Sequence, residues 1–183
     1  IRRAHYDLTG LPPEPGDVAA FLADKSPQAF DKVVDRLLRS PHYGERWARH
    51  WLDLVRYAET NSYERDGPKP FVWRYRDYVI RSLNEDKPYD QFVLEQLAGD
   101  LLPDPTQDQR LATAFNRLHR QTNEGGSVLE EFRVAYVSDR TETFGTAFLG
   151  MTLNCAKCHS HKFDPISQEN YYELSAFFNS IDE

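Results

Sequence analysis

Apolar residues recur every three or four positions along most of this chain, a spacing that places them on one face of an α-helix. The strict alternation of apolar and polar residues that marks a β-strand is almost absent. Ser26 and Ser40 are each followed by proline, a pair that caps a helix and begins its first turn. The sequence therefore predicts an all-α fold, an irregular helical domain of about seven to eight helices with long loops.

The predicted helices begin at capping signals or where the periodicity resumes after proline or glycine. Thr106 with Gln109 and Ser127 with Glu130 have the spacing of a capping box, and Asp164 precedes a proline. In chain order, the predicted helices start at Ser26 and at Ser40, cover residues 71–83, start at Pro88, cover 111–118, extend from 127 to about 150, and start at Asp164.

The helices that start at Ser26 and Ser40 have the clearest predicted apolar faces. We expect these faces to be buried, and the second contains a histidine among aromatic side chains. The first face consists of Phe30, Val33, Val34, Leu37 and Leu38, and the second of Trp47, His50, Trp51, Leu54, Val55 and Ala58.

Composition limits the class of function. The 183 residues suit a single domain over residues 1–183, and 40% of them are hydrophobic, which is enough for a core. The 22 Lys and Arg against 29 Asp and Glu leave a net charge of −7, which argues against nucleic-acid binding because such proteins neutralise phosphates with basic patches. No apolar run approaches the roughly 20 residues that span a bilayer, so we expect no membrane span in this segment. The chain also has no nucleophile elbow, P-loop or dinucleotide fingerprint.

Both ends of the chain suggest a piece of a longer protein. Ile1 is neither an initiator methionine nor the start of the apolar stretch of a signal peptide. Residues 180–183 follow closely on the apolar run at 176–178. We therefore expect flanking domains, so that this domain is a fragment of a longer multidomain protein.

The two cysteines of the chain lie three positions apart, and a histidine follows them directly, in the order Cys155, Cys158, His159. This Cys-x-x-Cys-His spacing is typical of covalent haem c, in which both thiols add to vinyl groups on one edge of the porphyrin and the imidazole reaches the iron. The sequence therefore predicts that Cys155, Cys158 and His159 bind haem c, with His159 as an iron ligand. We also expect the surrounding helices to enclose the haem.

Three other interpretations of the same residues stay open. Cys155 and Cys158 could form a redox-active disulfide, although such sites follow a strand that the helical pattern does not provide. Together with His159 and His161 they could bind zinc, although a structural zinc site normally closes with a second, distant pair of ligands. They could also be two buried thiols beside a surface histidine.

Four stretches of the chain resemble a known family: DLTGLPP at 7–13, YGERWARHWLD at 43–53, NEDKPYDQF at 84–92 and CAKCHSHKFDP at 155–165. The chain is similar to the cytochrome-like domain of unknown function, the second such domain, of large secreted multidomain proteins of planctomycetes and related bacteria. In that family the domain often follows a small cytochrome c domain and precedes a second uncharacterised domain, and the family name implies haem. The family motif has Asp between its histidines and often Arg between its cysteines, where this chain has Ser160 and Lys157. Neither departure removes a haem ligand.

The second axial position of the iron needs a distant residue or water, or stays open. His161 lies too close to His159 to reach the opposite face of the porphyrin, and we expect Met151 to be a core residue because it precedes the motif by only four positions. His50, on an apolar helix face, is the first candidate for this second iron ligand. Weaker candidates are the histidines in polar contexts, which we expect to be solvated: His5, His42 and His119.

Arg133 and Arg140 lie seven positions apart, two turns of one predicted helix, and so project the same way. Arginine pairs with carboxylates through two parallel hydrogen bonds, which makes both residues candidates for binding haem propionates. A solvated face or a pair with Glu130 is the simpler alternative. Lys162, beside the motif, is a further candidate.

These residues favour an electron-transfer module, in which haem c exchanges single electrons with neighbouring domains of the same polypeptide or with another redox protein. One alternative is a haem oxidoreductase with an open distal site, in which His50 near Arg46 or Arg49 is the acid–base group. The other is a non-catalytic scaffold domain stapled by zinc. Because haem c is attached outside the cytoplasmic membrane, haem would also imply a periplasmic or otherwise exported protein.

Overall fold

The computed structural model describes residues 1–181 of the chain. Within that range it contains nine α-helices and no β-strand, so the all-α prediction is confirmed and the predicted number of helices is slightly too low. The helices are α1 (Arg2–Thr9), α2 (Pro15–Ala23), α3 (Ala29–Leu38), α4 (Pro41–Leu54), α5 (Trp73–Asn84), α6 (Tyr89–Ala98), α7 (Gln107–Ala112), α8 (Leu129–Phe144) and α9 (Gln168–Ala176). None of these helices is both long and apolar enough to cross a membrane. Residues 182 and 183, on which the expectation of a following domain partly depends, lie outside the described range.

The two additional helices, α1 and α2, are joined to α3 by polar contacts. Glu14 and Asp17 form a capping box at the start of α2, with Pro15 in the first helical position. His5 of α1 is buried, and its Nε2 lies 3.3 Å from Oδ2 of Asp17, whose other oxygen pairs with Arg36 of α3 at 2.6 Å. Helix starts are usually predicted from Ser or Thr at the N-cap, and this capping box has acidic residues instead, so the sequence analysis did not predict α2.

Small residues determine how α4 packs on α5, the most extensive helix pair in the structure. Gly44 and Ala48 are buried on α4. A Cβ atom at Gly44 would lie 2.5 Å from the carbonyl oxygen of Ile80, so any side chain there would collide with the backbone of α5. The Gly44 amide instead donates to Oδ1 of Asn84 at 2.8 Å, which fixes the two helices together.

The predicted apolar face of α4 is therefore only partly buried. Val55 of that face is buried, but Trp47, His50 and Leu54 are exposed, and Gly44 and Ala48, which the prediction did not include, are buried instead. The physical reason is the close approach of α5, which admits small side chains and leaves the bulky ones at the edge. On α3, similarly, only Val33 and Leu37 of the predicted face are buried.

Capping confirms two predicted helix starts. The Ser40 hydroxyl accepts a hydrogen bond from the His42 amide at the start of α4. Thr106 and Gln109 form the predicted capping box at α7, with distances of 3.2 Å and 2.9 Å. The side chains of Ser40 and Thr106 therefore cap their helices, as the sequence predicted.

Three other predicted starts are wrong. The helix predicted to start at Ser26 begins at Ala29 instead, after Gln28 and without a side-chain cap. The Ser127 hydroxyl donates to the carbonyl oxygen of Glu124 at 3.0 Å, and α8 begins at Leu129 without a side-chain cap. The last helix begins not at Asp164 but three residues later, where Ser167 forms a capping box with Asn170. At Ser127 and Asp164 a local turn uses the polar side chain that the prediction assigned to a cap.

Two buried clusters fill the interior. The larger one is aromatic and lies between α4, α5, α6 and the segment from α7 to Leu118; it consists of Ala48, Val55, Tyr75, Tyr78, Val79, Phe92, Ala112, Phe115 and Leu118. The smaller one consists of Leu153, Ala156 and Tyr171. The large cluster is filled by protein side chains, and Cys155, Cys158 and His159 are exposed outside both clusters.

Candidate functional site

The segment with the cysteines follows a sharp end to α8. Directly after α8, residues Gly145–Leu149 form one π-helical turn, and Gly150 then adopts a left-handed conformation with φ of 64°. A short 3₁₀ helix, Asn154–Lys157, carries the first cysteine, and the carbonyl oxygen of Cys155 accepts the Cys158 amide at 3.3 Å. The two cysteines therefore belong to one tight turn, which we call the cysteine turn (residues 154–159).

Burial of Ala156 directs the thiols outward. Ala156 is completely buried against Leu153 and Tyr171 in the smaller cluster, while Cys155 and Cys158 are exposed and free. One face of the turn therefore anchors it to the fold, and the other presents both sulfur atoms to solvent. The alternative of two buried structural thiols is wrong, because neither cysteine is buried.

Helix α9 fixes the cysteine turn from behind. The Lys157 carbonyl oxygen accepts hydrogen bonds from Nε2 of Gln168 at 3.0 Å and from the Tyr172 hydroxyl at 3.1 Å. Tyr171, next along α9, packs under Ala156. Sequence analysis missed these positioning residues because they lie 11 and 15 positions from their partner, beyond the range of a local motif.

The imidazole of His159 is exposed, and its hydrogen bond defines its tautomer. Nδ1 lies 2.9 Å from the carbonyl oxygen of Ser160. Because a carbonyl oxygen only accepts, Nδ1 carries the hydrogen and the lone pair is on Nε2. A histidine that binds a metal through Nε2 has this same arrangement, with its other nitrogen donating to a backbone carbonyl.

His161 has a structural role in the loop that follows. Its side chain is largely buried, its Nδ1 accepts a hydrogen bond from the Asp164 amide at 2.9 Å, and its own amide donates to Ile166 at 2.8 Å. Over residues 1–181, no three His, Cys, Asp or Glu side chains come together in a way that could hold a metal ion. The four side chains considered for zinc are thus not assembled as a ligand set in this conformation.

The two candidate arginines have different surroundings, although both lie on α8. Arg133 is partly exposed, pairs with Glu130 and donates to Asn179 of the chain after α9. Arg140 is only 3% exposed; its Nε donates to the Asn116 carbonyl oxygen at 2.6 Å, and its Nη2 lies 3.0 Å from Nε2 of His119. The structure does not bring the two guanidinium groups to one site.

A cavity of about 310 Å³ lies between α8 and α9 at the edge of the cysteine turn. Arg133 and Lys157 both line it, together with the hydroxyl groups of Ser138 and Tyr171, which are 2.8 Å apart. Lys162, in contrast, is exposed, and its ammonium group lies 5.2 Å from the ring centre of Phe163. Two positive side chains therefore border one cavity next to the cysteines, and Lys157 is a candidate that sequence analysis did not propose.

Comparison with known protein families assigns the chain to one family. The family model PSCyt2, described as a protein of unknown function (DUF1549), matches residues 1–183. The chain belongs to this family. Membership in PSCyt2 confirms the resemblance seen in the four sequence stretches, and the family description assigns no activity. No curated protein and no solved structure matches the chain.

Within this PSCyt2 domain, the candidates for a second iron ligand lie in different environments. His50 is exposed on α4, lies against Trp47 in a tilted arrangement with ring centres 5.4 Å apart, and lines a cleft that includes no residue of the cysteine turn. Met151 is partly buried against the smaller cluster, as expected of a core residue. Of the remaining histidines, His42 is exposed as predicted, but His5 and His119 are buried, so the prediction that both are solvated is wrong.

His119 shows why a polar neighbourhood in the sequence does not imply solvation. Its Nδ1 lies 2.8 Å from the Arg120 carbonyl oxygen, and its ring stacks on Tyr136 with centres 4.4 Å apart. With Arg140 against Nε2, the imidazole has a polar partner at each nitrogen and can be buried without an unmet hydrogen bond. No spacing in the sequence reveals that Tyr136 and Arg140, both on α8, are among its partners.

Proposed function

We propose that this domain binds haem c covalently through Cys155 and Cys158, with His159 as an axial iron ligand, and that it serves as an electron-transfer module of an exported multidomain protein. One observation carries the proposal: both thiols are free and exposed on a single turn, next to an imidazole with its lone pair on Nε2. Its electron partners would be neighbouring domains of the same polypeptide or another redox protein.

The donor atoms fit what haem attachment requires. Each thiol adds across one vinyl group: the sulfur–carbon bond forms and the thiol hydrogen passes to the other vinyl carbon, so neither an oxidant nor a leaving group is needed. Two reduced and accessible cysteines satisfy this requirement, as the exposure of Cys155 and Cys158 supports. Bound haem would supply one-electron oxidation and reduction.

The turn itself supplies the positioning. Ala156 anchors it, and the hydrogen bonds of Gln168 and Tyr172 to the Lys157 carbonyl hold its backbone. A turn held at fixed geometry presents both sulfur atoms and the imidazole without an ordering cost at the moment of binding. This support lies outside the motif and belongs to the fold.

Charge near the turn supports one of the predicted propionate contacts. Arg133 and Lys157 border the same cavity, and a guanidinium or ammonium group is the natural partner of a carboxylate. Arg140 is buried with Asn116 and His119, so we retain Arg133 for this role and assign Arg140 to the packing of α8.

The proposal is tested by exporting the 183-residue chain from cells that carry the haem-attachment machinery and measuring its intact mass and reduced absorption spectrum. We expect the polypeptide mass plus one haem. Cys155→Ser and Cys158→Ser should each retain at most one thioether bond, and the double variant should bind no haem covalently. Ser160→Ala, which changes a side chain between the two histidines, is the control and should not alter attachment.

The same preparation separates the alternatives. A mass equal to the bare polypeptide contradicts haem attachment, and zinc bound to unmodified thiols would favour the scaffold domain. If His50 is the second iron ligand, His50→Ala changes the spin state of the iron, while His42→Ala, a change of another exposed histidine on α4, does not. Five-coordinate iron in the unaltered protein would favour the oxidoreductase with an open site.

A further inference from the structure

A second cleft lies away from the cysteine turn, between α4, the end of α5 and the start of α6. Its cavity has a volume of about 370 Å³, in the range of small-ligand sites in proteins. Five of its nine lining residues are aromatic, and no residue of the cysteine turn is among them. The haem-attachment residues Cys155, Cys158 and His159 therefore do not account for this cleft, although His50, the candidate second iron ligand, lines it.

The floor of the cleft is rigid. Phe92 belongs to the large buried cluster, and Trp51 packs on it with ring centres 5.1 Å apart. The Trp51 indole N–H donates to the Tyr75 hydroxyl at 3.0 Å and to Oε1 of Gln96 at 3.1 Å. These bonds fix the indole plane, so a ligand would meet a preformed surface.

The walls of the cleft are aromatic side chains that the fold leaves in solvent. Trp47 on α4 is 41% exposed and Tyr89 at the start of α6 is 61% exposed, and both line the cleft. Tyr43 lies behind Trp47, with ring centres 6.2 Å apart. Large rings exposed around a concave apolar floor mark a binding site more often than a random surface does.

The polar groups of the cleft are few. Lys87 pairs with the Glu95 carboxylate and lies 4.8 Å from the ring centre of Tyr78. The other polar groups on residues that line the cleft are the Ser82 hydroxyl, the His50 ring and the phenol hydroxyls of Tyr43 and Tyr89.

The aromatic rings and the few polar groups of the cleft indicate which class of ligand it can bind. A sugar or other polyol carries more hydroxyl groups than the few polar side chains of the cleft can meet, and each buried hydroxyl without a partner is costly. A cationic ligand would meet the Lys87 ammonium group in place of the open aromatic cage that such ligands prefer. A flat aromatic ring fits between the rings, and a carbonyl or carboxylate oxygen on it could accept a hydrogen bond from His50 or Lys87.

We propose that this cleft binds a small planar aromatic molecule that carries one hydrogen-bond acceptor group, stacked against Trp47 and Tyr89. The site uses no residue of the cysteine turn. Benzoate and benzamide are suitable probes because they share a ring and differ in the charge of the acceptor. Cyclohexanecarboxylate, which lacks the aromatic ring, and glucose, a polyol, are the comparison compounds.

The test measures binding to the 183-residue chain by saturation-transfer NMR and tryptophan fluorescence. We expect saturable binding of benzoate or benzamide, with weaker binding of cyclohexanecarboxylate and none of glucose. Trp47→Ala should raise the Kd at least ten-fold. The matched control is Trp73→Ala, because Trp73 is 43% exposed but lies outside the cleft, and this change should leave the Kd within two-fold.

Circular dichroism checks that each variant is folded. Tyr89→Ala provides a second test on a more exposed residue, should Trp47→Ala disturb α4. The proposal is overturned if neither aromatic probe binds saturably, if glucose binds as tightly as they do, or if Trp73→Ala weakens binding as much as Trp47→Ala.

Discussion

Glu95 is a buried carboxylate that the fold supplies with several donors. Its side chain is 3% exposed and accepts hydrogen bonds from the Lys87 ammonium, from the Tyr78 hydroxyl at 2.8 Å and from Nε2 of Gln91 at 2.9 Å. Burial raises the pKa of Glu95, but the hydrogen bonds together outweigh burial, with Lys87 contributing most, and the pKa lies below its ordinary value. The carboxylate therefore stabilises the fold in its charged form.

The pH dependence follows from the direction of that shift. A carboxyl group with a lowered pKa in the folded state gives its full stabilisation above the unfolded pKa, and the stabilisation is lost as the pH falls through the folded pKa. We expect Glu95→Gln to reduce the free energy of unfolding at pH 7 by about 3 kcal/mol, since it leaves the Lys87 ammonium largely buried without its ion pair. The variant should also lose less stability than the original protein on acidification below the ordinary glutamate pKa.

Urea unfolding at pH 7 and at a series of lower pH values measures both effects. Glu130→Gln is the control, because Glu130 also pairs with an arginine but is mostly exposed, and its loss of stability should be much smaller. Equal losses for the two variants, or an unchanged acid dependence in Glu95→Gln, would count against the role given to Glu95.

Single residues also show what the sequence can and cannot reveal. Cys155, Cys158 and His159 are recognisable because the whole pattern lies within five positions. The burial of His119 and Arg140 depends on a contact between residues 21 positions apart, for which the chain carries no local signal. The site residues were thus visible in the sequence, and their exposure was not.

At the scale of helices, the contact of α4 with α5 depends on one missing side chain. In Gly44→Ala the new Cβ would lie 2.5 Å from a backbone oxygen of α5, and the backbone cannot rotate away as a side chain would. We expect the free energy of unfolding to fall by about 1–3 kcal/mol, the usual cost of overpacking. Urea unfolding measures the change.

Gly16→Ala is the matched control. Gly16 also lies in a helix, α2, but nothing is within 4 Å of its added Cβ. Because alanine favours a helix, the control should be neutral or gain up to about 1 kcal/mol. A loss in Gly16→Ala as large as that in Gly44→Ala would show that helix propensity, and not the close approach, determines the result.

Helix α9 provides a second test at this scale. Tyr172→Phe together with Gln168→Ala removes both hydrogen bonds to the Lys157 carbonyl. Each exposed bond is worth about 0.5–1 kcal/mol, so the loss of both should speed local opening about five- to thirty-fold. Amide hydrogen exchange at Ala156 and Cys158 measures the effect.

The control for this experiment is Tyr6→Phe, which removes the hydroxyl of an exposed tyrosine on α1. Exchange in the cysteine turn should not change in this variant. Unaltered exchange in the double variant would mean that Ala156 alone holds the turn in place.

The helix starts show which local signals are dependable. Thr106 and Gln109 were predicted correctly because both partners of the capping box are common ones and no competing turn surrounds them. Ser167 was missed because its partner is Asn170, where a capping box usually has Glu or Gln. Ser127 was misassigned because its hydroxyl bonds backwards to the residue before a Gly–Gly turn.

Over the whole molecule, the interior divides into a large aromatic cluster and a small one beneath the cysteine turn. The all-α class followed from periodicity, since the 3.6-residue repeat is a property of each segment alone. The division into two clusters did not follow from periodicity, because it depends on which helices pack together. Small residues such as Gly44 determine that packing. The sequence therefore predicted the elements better than their buried faces.

The position of the cysteine turn along the chain has a consequence for biogenesis. Every residue of the large cluster precedes position 119, and the last side chain packed against that cluster is Phe148. A polypeptide synthesised from its amino end therefore contains the whole large cluster before Cys155 is added. The anchoring residue Tyr171 emerges later still. During synthesis from the amino end, the sulfur atoms therefore appear while their own support is incomplete, after the bulk of the domain has had time to collapse.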